Sequence, residues 1–274
     1  MLGCLATETP ALLSSAGLWR MRLSVELHPQ LTPKQTDFIR SKAQHGLLTG
    51  PPGTAKTYTA CAKGLLGLQR KLYERIIIVR SAVSTRPLGY LPGDINDKQE
   101  VYAEPYVDIF DDLCGGNQNW STLSRHKLVE FKTTSHLRGV TWDNSYVILD
   151  EIQNFNYHEC RTAATRVGEG TSLVVCGDTD QSDLTDRREA EGHMKFLKIF
   201  SAMENVSYIN FVADDIVRSG FVQDYVEAEE NYSKLQTCKT PSVSTPQRAA
   251  AGRYQWPATH AGGGPEHLFK HEDR

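Results

Sequence analysis

An octapeptide rich in glycine and proline, Gly50-Pro-Pro-Gly-Thr-Ala-Lys-Thr57, constrains the fold of this chain more than any other feature. It follows a short apolar run, Gly46–Thr49, and precedes a segment with the apolar content of a helix, Thr57–Leu68. A glycine-containing turn between a buried strand and a helix, ending in lysine and a hydroxyl residue, is typical of a loop that wraps around phosphate groups. The sequence therefore predicts a strand, a phosphate-binding loop and a helix, in that order.

The residue types of this loop suit a bound triphosphate. Gly50 and Gly53 allow the backbone to approach phosphate oxygens closely, and the amides from Gly53 through Thr54 to Lys56 can donate hydrogen bonds to them. The Lys56 ammonium would reach the β- and γ-phosphates, and the Thr57 hydroxyl would ligate Mg²⁺ at the start of the helix. An ordinary glycine-proline turn with a chance lysine is the alternative, but it does not explain the flanking strand and helix.

One position departs from the usual pattern of such loops, because Ala55 stands where a second glycine is expected. The loop accommodates an alanine if its φ angle is helical, whereas a positive φ brings the methyl group into a steric clash. The backbone conformation at Ala55 therefore decides whether this loop is strained.

Composition and charge narrow the class of protein. The chain has 274 residues, of which 39% are hydrophobic, and this is typical of a soluble globular protein rather than a fibrous or membrane protein. Its net charge of −3 gives no overall basic field of the kind that indicates nucleic-acid binding. The six cysteines lie far apart without a Cys-x-x-Cys pair, which indicates reduced thiols in a cytoplasmic protein rather than disulfides or a zinc site.

Three regions follow from the distribution of apolar residues. Residues 1–30 show weak periodicity and are expected to form an N-terminal extension, in which residues 1–20 are disordered or precede a natural start at Met21. Residues 31–235 have the length of a single domain. Residues 236–274 collect prolines and runs of alanine and glycine, and they are expected to form a disordered tail.

Short apolar runs alternate with helical patterns throughout this domain. The predicted strands are Leu47–Thr49, Arg75–Val79, Tyr146–Leu149, Leu173–Cys176 and Val206–Phe211. The predicted helices are Lys34–Ala43, Thr57–Leu68, Lys98–Leu113, Tyr157–Val167, Glu189–Met203 and Gly220–Tyr232. Because the strands are nearly all apolar, they are typical of buried parallel strands, and the alternation predicts a three-layer α/β fold with a mostly parallel sheet.

The strand Tyr146–Leu149 ends in two carboxylates, Asp150 and Glu151. A parallel sheet places this end at the same edge as the phosphate-binding loop. Asp150 would then hold the Mg²⁺ that Thr57 also contacts, and Glu151 would orient or deprotonate an attacking water. An acidic pair with a purely structural role is the alternative, which the nearby lysine and threonine of the loop make weaker.

A third polar cluster follows the strand Leu173–Cys176. Gly177 and Asp178 end this strand at the same edge, and Gln181 would sense the γ-phosphate or the water beside it. An ordinary polar loop with an Asx turn explains the same residues, and the sequence leaves both interpretations of Gln181 open.

Five blocks of sequence resemble the PhoH family of ATPases in their order and spacing. They are Gly50–Thr57, Arg86–Asp94, Val147–Asn154, Cys176–Gln181 and Asp215–Arg218. The strings Leu-Gly-Tyr-Leu-Pro-Gly-Asp and Leu-Asp-Glu-x-Gln-Asn are more specific to this family than a phosphate-binding loop is. The chain looks like the short PhoH-like proteins that bacteriophages encode and that many bacteria contain. The resemblance implies a RecA-like P-loop NTPase, similar to the motor domain of superfamily one helicases, with ATP and Mg²⁺ as cofactors.

The resemblance also implies roles for residues outside the loop. Gln35 would contact the adenine edge as the helicase glutamine does, or it would be an exposed glutamine on the first helix. Arg218 would be an arginine finger that stabilises charge on the transferring phosphoryl group, within the chain or from a neighbour, or it would be a surface arginine at a helix start. Arg138 matches a family position, but the sequence defines no role for it.

The predicted reaction is hydrolysis of the β–γ bond of ATP by in-line attack of water, with Glu151, Gln181 and Arg218 as catalytic residues. A nucleotide-binding regulatory or assembly protein with little turnover is the alternative. Binding of RNA or single-stranded nucleic acid stays open but is not predicted. The basic residues near the core are interleaved with acids, which is more typical of a solvated face than of a surface that binds phosphates. Translocation would need two motor domains or a ring of subunits, so helicase activity is undecided and a homo-oligomer is expected.

Overall fold

The computed structural model describes residues 23–81, 95–115, 120–137, 139–178 and 187–237. Its helices are α1 (Pro33–Arg40), α2 (Lys56–Gln69), α3 (Ile95–Leu113), α4 (Trp120–Arg125), α5 (Tyr157–Ala164), α6 (Arg187–Ser201) and α7 (Gly220–Thr237). Its strands are β1 (His45–Thr49), β2 (Arg75–Arg80), β3 (Val129–Thr133), β4 (Ser145–Leu149), β5 (Ser172–Gly177) and β6 (Val206–Asn210). Short 3₁₀ turns cover Thr134–His136, Ile152–Asn154 and Ala213–Asp215. Within these ranges, the helices are too short or too polar to cross a membrane.

The strands form one sheet in the order β3-β2-β4-β5-β1-β6, and every neighbouring pair is parallel. In this register Leu48 of β1 lies beside Cys176 of β5, and Leu149 of β4 lies beside Val175 of β5. The carboxyl ends of all these strands therefore meet at one edge, and the end of β5 lies between the ends of β1 and β4. This edge is where ligands bind in open parallel sheets.

Both faces of the sheet are covered by helices. In β2, Ile76 and Ile78 pack into a core with side chains of α2 and α3, whereas Ile77 and Val79 pack into a second core with side chains of α5 and α6. Alternate residues of a strand point to opposite faces, so two buried faces require a continuous apolar run. The predicted three-layer α/β fold is confirmed.

Two helices begin with reciprocal caps that the sequence encodes locally. The Thr32 hydroxyl accepts a hydrogen bond from the Gln35 amide at 3.3 Å, and the Gln35 side chain accepts one from the Thr32 amide at 3.0 Å. At α5 the Asn156 side chain accepts from the Glu159 amide at 3.0 Å, and the Glu159 carboxylate accepts from the Asn156 amide at 3.0 Å. Such capping boxes satisfy amides that the first helical turn leaves without partners, and they fix where α1 and α5 start.

Two elements were not predicted from the sequence, β3 and α4. Strand β3 reads Val-Glu-Phe-Lys-Thr, and its three central residues are only partly buried because it lies at the edge of the sheet. A search for continuous apolar runs misses such a strand, since only the central strands are apolar on both faces. Helix α4 has six residues, too few to show a helical period.

Candidate nucleotide-binding site

The loop between β1 and α2 requires glycine at two positions. Gly50 has φ +136° and Gly53 has φ +88°, which are conformations that residues with a side chain rarely adopt. A Cβ atom on Gly50 would lie 2.4 Å from the carbonyl oxygen of Phe211. Inside the loop, the buried Thr54 hydroxyl donates to the Pro51 carbonyl at 2.9 Å. The backbone therefore follows a fixed curve before helix α2 begins.

Ala55 adopts the conformation in which an alanine is strained. Its φ of +56° and ψ of +37° are left-handed, and it stands at the start of α2 without a side-chain cap. For a residue with a Cβ atom this conformation costs about 1–2 kcal/mol. The Ala55 carbonyl accepts hydrogen bonds from the Thr59 amide at 3.0 Å and the Thr59 hydroxyl at 2.8 Å, so the first turn of the helix holds the residue in place.

Lys56 lies within the curve of the loop. Its ammonium group donates to the carbonyls of Gly50 at 2.7 Å and Pro51 at 2.8 Å. Burial lowers the pKa of Lys56, and the nearby carboxylates of Asp178 and Glu151 partly offset that effect. The charge that would hold phosphate groups is thus placed by the loop itself.

The loop and the acidic strand meet through a direct hydrogen bond. The Thr57 hydroxyl donates to Asp150 Oδ1 at 2.8 Å, although the two residues are 93 positions apart. Asp150 follows β4 and is only 4% exposed. Its second oxygen, Oδ2, accepts a hydrogen bond from the Tyr106 hydroxyl at 2.7 Å. The two residues that the sequence assigned to Mg²⁺ are therefore neighbours.

Tyr106 was missed by the sequence analysis. It lies in α3 four residues before Phe110, so its pattern is that of a core aromatic, and its packing does place it in the core. Burial raises the pKa of Tyr106 well above its usual range, and the nearby charge of Asp150 raises it further. The Tyr106 hydroxyl therefore stays protonated and donates. No sequence pattern in α3 indicates the bond to Asp150.

Glu151 is held at the end of β4 in a left-handed conformation, with φ +56°. Its carboxylate accepts a hydrogen bond from the Gln153 side-chain amide, and the carbonyl of the same side chain accepts from the Asp178 amide at 3.0 Å. Burial raises the pKa of Glu151, and the nearby charge of Asp150 raises it further. Gln153 thus connects the predicted base to the end of β5, a role that the sequence analysis did not assign.

Gln35 lies against the loop and is 2% exposed, so it is not the exposed glutamine that was the alternative. Its side-chain amide donates to the Thr54 carbonyl at 3.1 Å. The side-chain oxygen caps helix α1 through Thr32. Contact of Gln35 with adenine stays a prediction.

Arg218 lies beside the loop of its own chain, and its side chain is exposed. The amide of the preceding residue, Val217, donates to the Gly53 carbonyl at 3.1 Å. A Cβ atom built on Gly53 would lie 3.7 Å from Arg218 Cγ. An ion pair of 2.5 Å between Lys34 and Asp215 ties the same segment to α1. These contacts bring Arg218 to the loop, whereas its role as an arginine finger stays a prediction.

Five predictions lie wholly or almost wholly outside the described residues. They concern Gln181, Arg138, the block Arg86–Asp94, the N-terminal residues 1–20 and the tail 236–274, of which only residues 236 and 237 are described. In the described part of the third cluster, Asp178 is buried and its amide bonds to Gln153.

The oxygen atoms at the mouth of the loop suit Mg²⁺. Within the described part of the chain, no group of three or more His, Cys, Asp or Glu side chains could hold a metal ion by itself. Mg²⁺ is usually bound by one or two carboxylates together with substrate phosphates and waters. The Thr57 hydroxyl and the Asp150 carboxylate fit that donor set when a nucleotide completes it.

Comparison with known proteins places this site in a family. The family model described as "PhoH-like protein" matches residues 29–230. A PhoH-like protein of Bacillus subtilis (strain 168) is 31% identical over 200 residues, which are 72% of this chain and 62% of the relative. Protein PhoH of Escherichia coli (strain K12) is 34% identical over 182 residues, which are 66% of this chain and 51% of that protein.

A solved structure, the Sulfolobus solfataricus SWI2/SNF2 ATPase core in complex with dsDNA, is similar over 64% of this chain and 37% of that one. Its identity of 12% and TM-score of 0.39 are too low to support any argument about this chain.

The chain spans between half and two thirds of the length of the curated relatives it matches. Those relatives are bacterial and give no support for the phage origin that the resemblance suggested. The match nonetheless covers the loop, the acidic strand and the segment that carries Arg218. The chain therefore belongs to the PhoH-like protein family, as its five sequence blocks indicated.

Proposed function

We propose that this protein binds ATP with Mg²⁺ and hydrolyses the β–γ bond by in-line attack of water. The observation that carries the proposal is the 2.8 Å hydrogen bond between the Thr57 hydroxyl and Asp150. It joins the end of the phosphate-binding loop to the end of the acidic strand, so that bound phosphates and the carboxylates would share one small volume. The fold of residues 31–235 would be the unit that performs this reaction.

The loop would hold the phosphates by charge and by backbone hydrogen bonds. The amides from Gly53 to Lys56 would donate to phosphate oxygens at the start of α2, where the helix dipole favours negative charge. The Lys56 ammonium would exchange its loop carbonyls for the β- and γ-phosphate oxygens. Thr57 and Asp150 would hold Mg²⁺, which neutralises charge on those oxygens when it is bound.

Glu151 would prepare the attacking water. A general base works best when its pKa lies near the working pH, and burial moves the pKa of Glu151 in that direction. The bond from Gln153 fixes one carboxylate oxygen and leaves the other to accept the proton of the water. Gln181 would sense the γ-phosphate from the loop after β5.

Arg218 would complete the site within the same chain. Its segment is bonded to the loop through the Val217 amide and the Gly53 carbonyl, so a rotation of the exposed side chain would bring the guanidinium toward the γ-phosphate. A planar guanidinium that binds two phosphate oxygens stabilises the charge that develops during phosphoryl transfer.

Two substitutions separate nucleotide binding from hydrolysis. Lys56→Ala should abolish nucleotide binding in a calorimetric titration with ATP and Mg²⁺. Glu151→Gln should bind ATP but release phosphate about 10²-fold more slowly, since a general base contributes about 10²–10⁴-fold to the rate. Hydrolysis by Glu151→Gln at the wild-type rate would show that this residue is not the base.

Matched controls are available on the surface. Lys198 and Glu204 are exposed and precede β6, at the edge of the sheet opposite the loop, so Lys198→Ala and Glu204→Gln should bind and hydrolyse ATP as the wild type does. Phosphate release measured with and without single-stranded RNA tests whether the protein acts on RNA. Mass photometry with and without ATP and Mg²⁺ tests whether ATP changes its assembly. Nucleotide binding without measurable phosphate release would favour a regulatory or assembly protein instead.

A further inference from the structure

Both oxygens of the Asp150 carboxylate are held by hydroxyl groups from different helices. Oδ1 accepts from Thr57 at the start of α2, at 2.8 Å, and Oδ2 accepts from Tyr106 in α3, at 2.7 Å. Asp150 is 4% exposed and Tyr106 is 1% exposed, so solvent does not compete for the second bond. The orientation of this carboxylate is therefore set from two sides.

Packing fixes where the Tyr106 hydroxyl lies. Tyr106 and Phe110 are one helical turn apart in α3, and both are buried in the same core. The Tyr106 ring stacks on Trp120 of α4, with centroids 6.4 Å apart, and it also contacts Phe131 of β3 at 5.8 Å. The two elements that sequence patterns did not reveal thus support the residue that bonds to Asp150.

We propose that Tyr106 is a positioning residue for the metal site, which holds the Asp150 carboxylate in the orientation that binds Mg²⁺ together with Thr57. The inference rests on the proposed function, because it concerns the ion that accompanies the nucleotide. The torsion that turns a carboxylate has a broad energy well, so partners outside the metal's own ligands decide its orientation. Without the Tyr106 hydroxyl, the buried Oδ2 would lose its hydrogen-bond donor, and the carboxylate would turn toward other donors.

The matched pair for the test is Tyr106→Phe and Tyr146→Phe. Tyr146 is also fully buried, it lies on β4 shortly before Asp150, and its hydroxyl has no hydrogen-bond partner among the described residues. Each substitution removes one hydroxyl and keeps the aromatic ring, so the packing of the core is preserved. The two variants differ in whether that hydroxyl contacts Asp150.

The measurement is the affinity for a fluorescent, non-hydrolysable ATP analogue, first in EDTA and then across a Mg²⁺ titration. For Tyr106→Phe we expect the metal-free affinity of the wild type and a half-saturating Mg²⁺ concentration raised about tenfold or more, as is typical when a partner of a metal-binding carboxylate is removed. For Tyr146→Phe we expect wild-type values in both conditions. Unchanged Mg²⁺ dependence of Tyr106→Phe overturns the inference.

Three further outcomes also decide against it. A loss of metal-free affinity in Tyr106→Phe, with no added effect of Mg²⁺, assigns Tyr106 to general packing of the core. If wild-type protein binds no nucleotide with or without Mg²⁺, the proposed function itself fails, and the role of Tyr106 fails with it. If wild-type binding depends on Mg²⁺ and the two tyrosine variants behave alike, only the role of Tyr106 is wrong.

Discussion

Replacing Ala55 with glycine should stabilise the protein. In the structure Ala55 has φ +56° and ψ +37°, a left-handed conformation that glycine adopts without a steric cost. An alanine in this region costs about 1–2 kcal/mol, which the substitution removes. Glycine also gives the unfolded chain more conformational freedom, and this offsets about 0.5–1 kcal/mol of the stabilisation. We therefore expect Ala55→Gly to raise the free energy of unfolding by roughly 0.5–1 kcal/mol.

The assay is urea denaturation followed by circular dichroism, with the melting temperature as a second readout. A gain of about 1 kcal/mol corresponds to roughly 2–4 °C in a domain of this size. The matched control is Ala228→Gly, because Ala228 is exposed in the right-handed helix α7. There glycine should destabilise the protein by up to about 1 kcal/mol. If both substitutions lower the stability, Ala55 is not left-handed and the loop is built differently.

Two further predictions concern hydrolysis. Gln153→Ala should lower the rate of ATP hydrolysis by about tenfold or more and leave the ATP affinity unchanged. The substitution removes a hydrogen bond to the charged Glu151 carboxylate, and such a bond is worth about 1.5–3 kcal/mol. Steady-state kinetics measures the rate and calorimetry the affinity, and an unchanged rate contradicts the prediction. As the pH is lowered, the rate of hydrolysis should begin to fall at a higher pH than it would with an ordinary glutamate as the base. The base must be ionised, and burial raises the pKa of Glu151. A pH profile without that acid limb would contradict the assignment of the base.

The parts of the fold that the sequence predicts are those in which one short segment carries its own signal. The apolar run of β2 identifies a strand buried on both faces, and the loop Gly50–Thr57 carries its glycines, lysine and threonine in one string. The acidic end of β4 is similarly contiguous. The α/β fold, the parallel sheet and the approach of Thr57 to Asp150 could therefore be inferred before the structure was known.

The parts that could not be predicted depend on contacts between distant segments. Tyr106 has the sequence pattern of an ordinary core residue, and only the placement of α3 against β4 shows that its hydroxyl contacts Asp150. Edge strand β3 alternates apolar and charged residues, because it has a neighbouring strand along one edge only and is less buried than the central strands. The conformation of Ala55 was also undecided, since the sequence does not show whether closure of the loop forces the strained, left-handed φ on this residue.

The order of the strands explains why β5 must end in glycine. Because β5 lies between β1 and β4, its last residue separates the phosphate-binding loop from the acidic pair. A Cβ atom on Gly177 would lie 2.5 Å from Gln153 Oε1 and 2.9 Å from the Ile152 amide nitrogen. The missing side chain leaves the space through which Gln153 reaches the Asp178 amide while it holds Glu151. Any larger residue at position 177 would displace Gln153, and the predicted base would lose its connection to the strand that leads to Gln181.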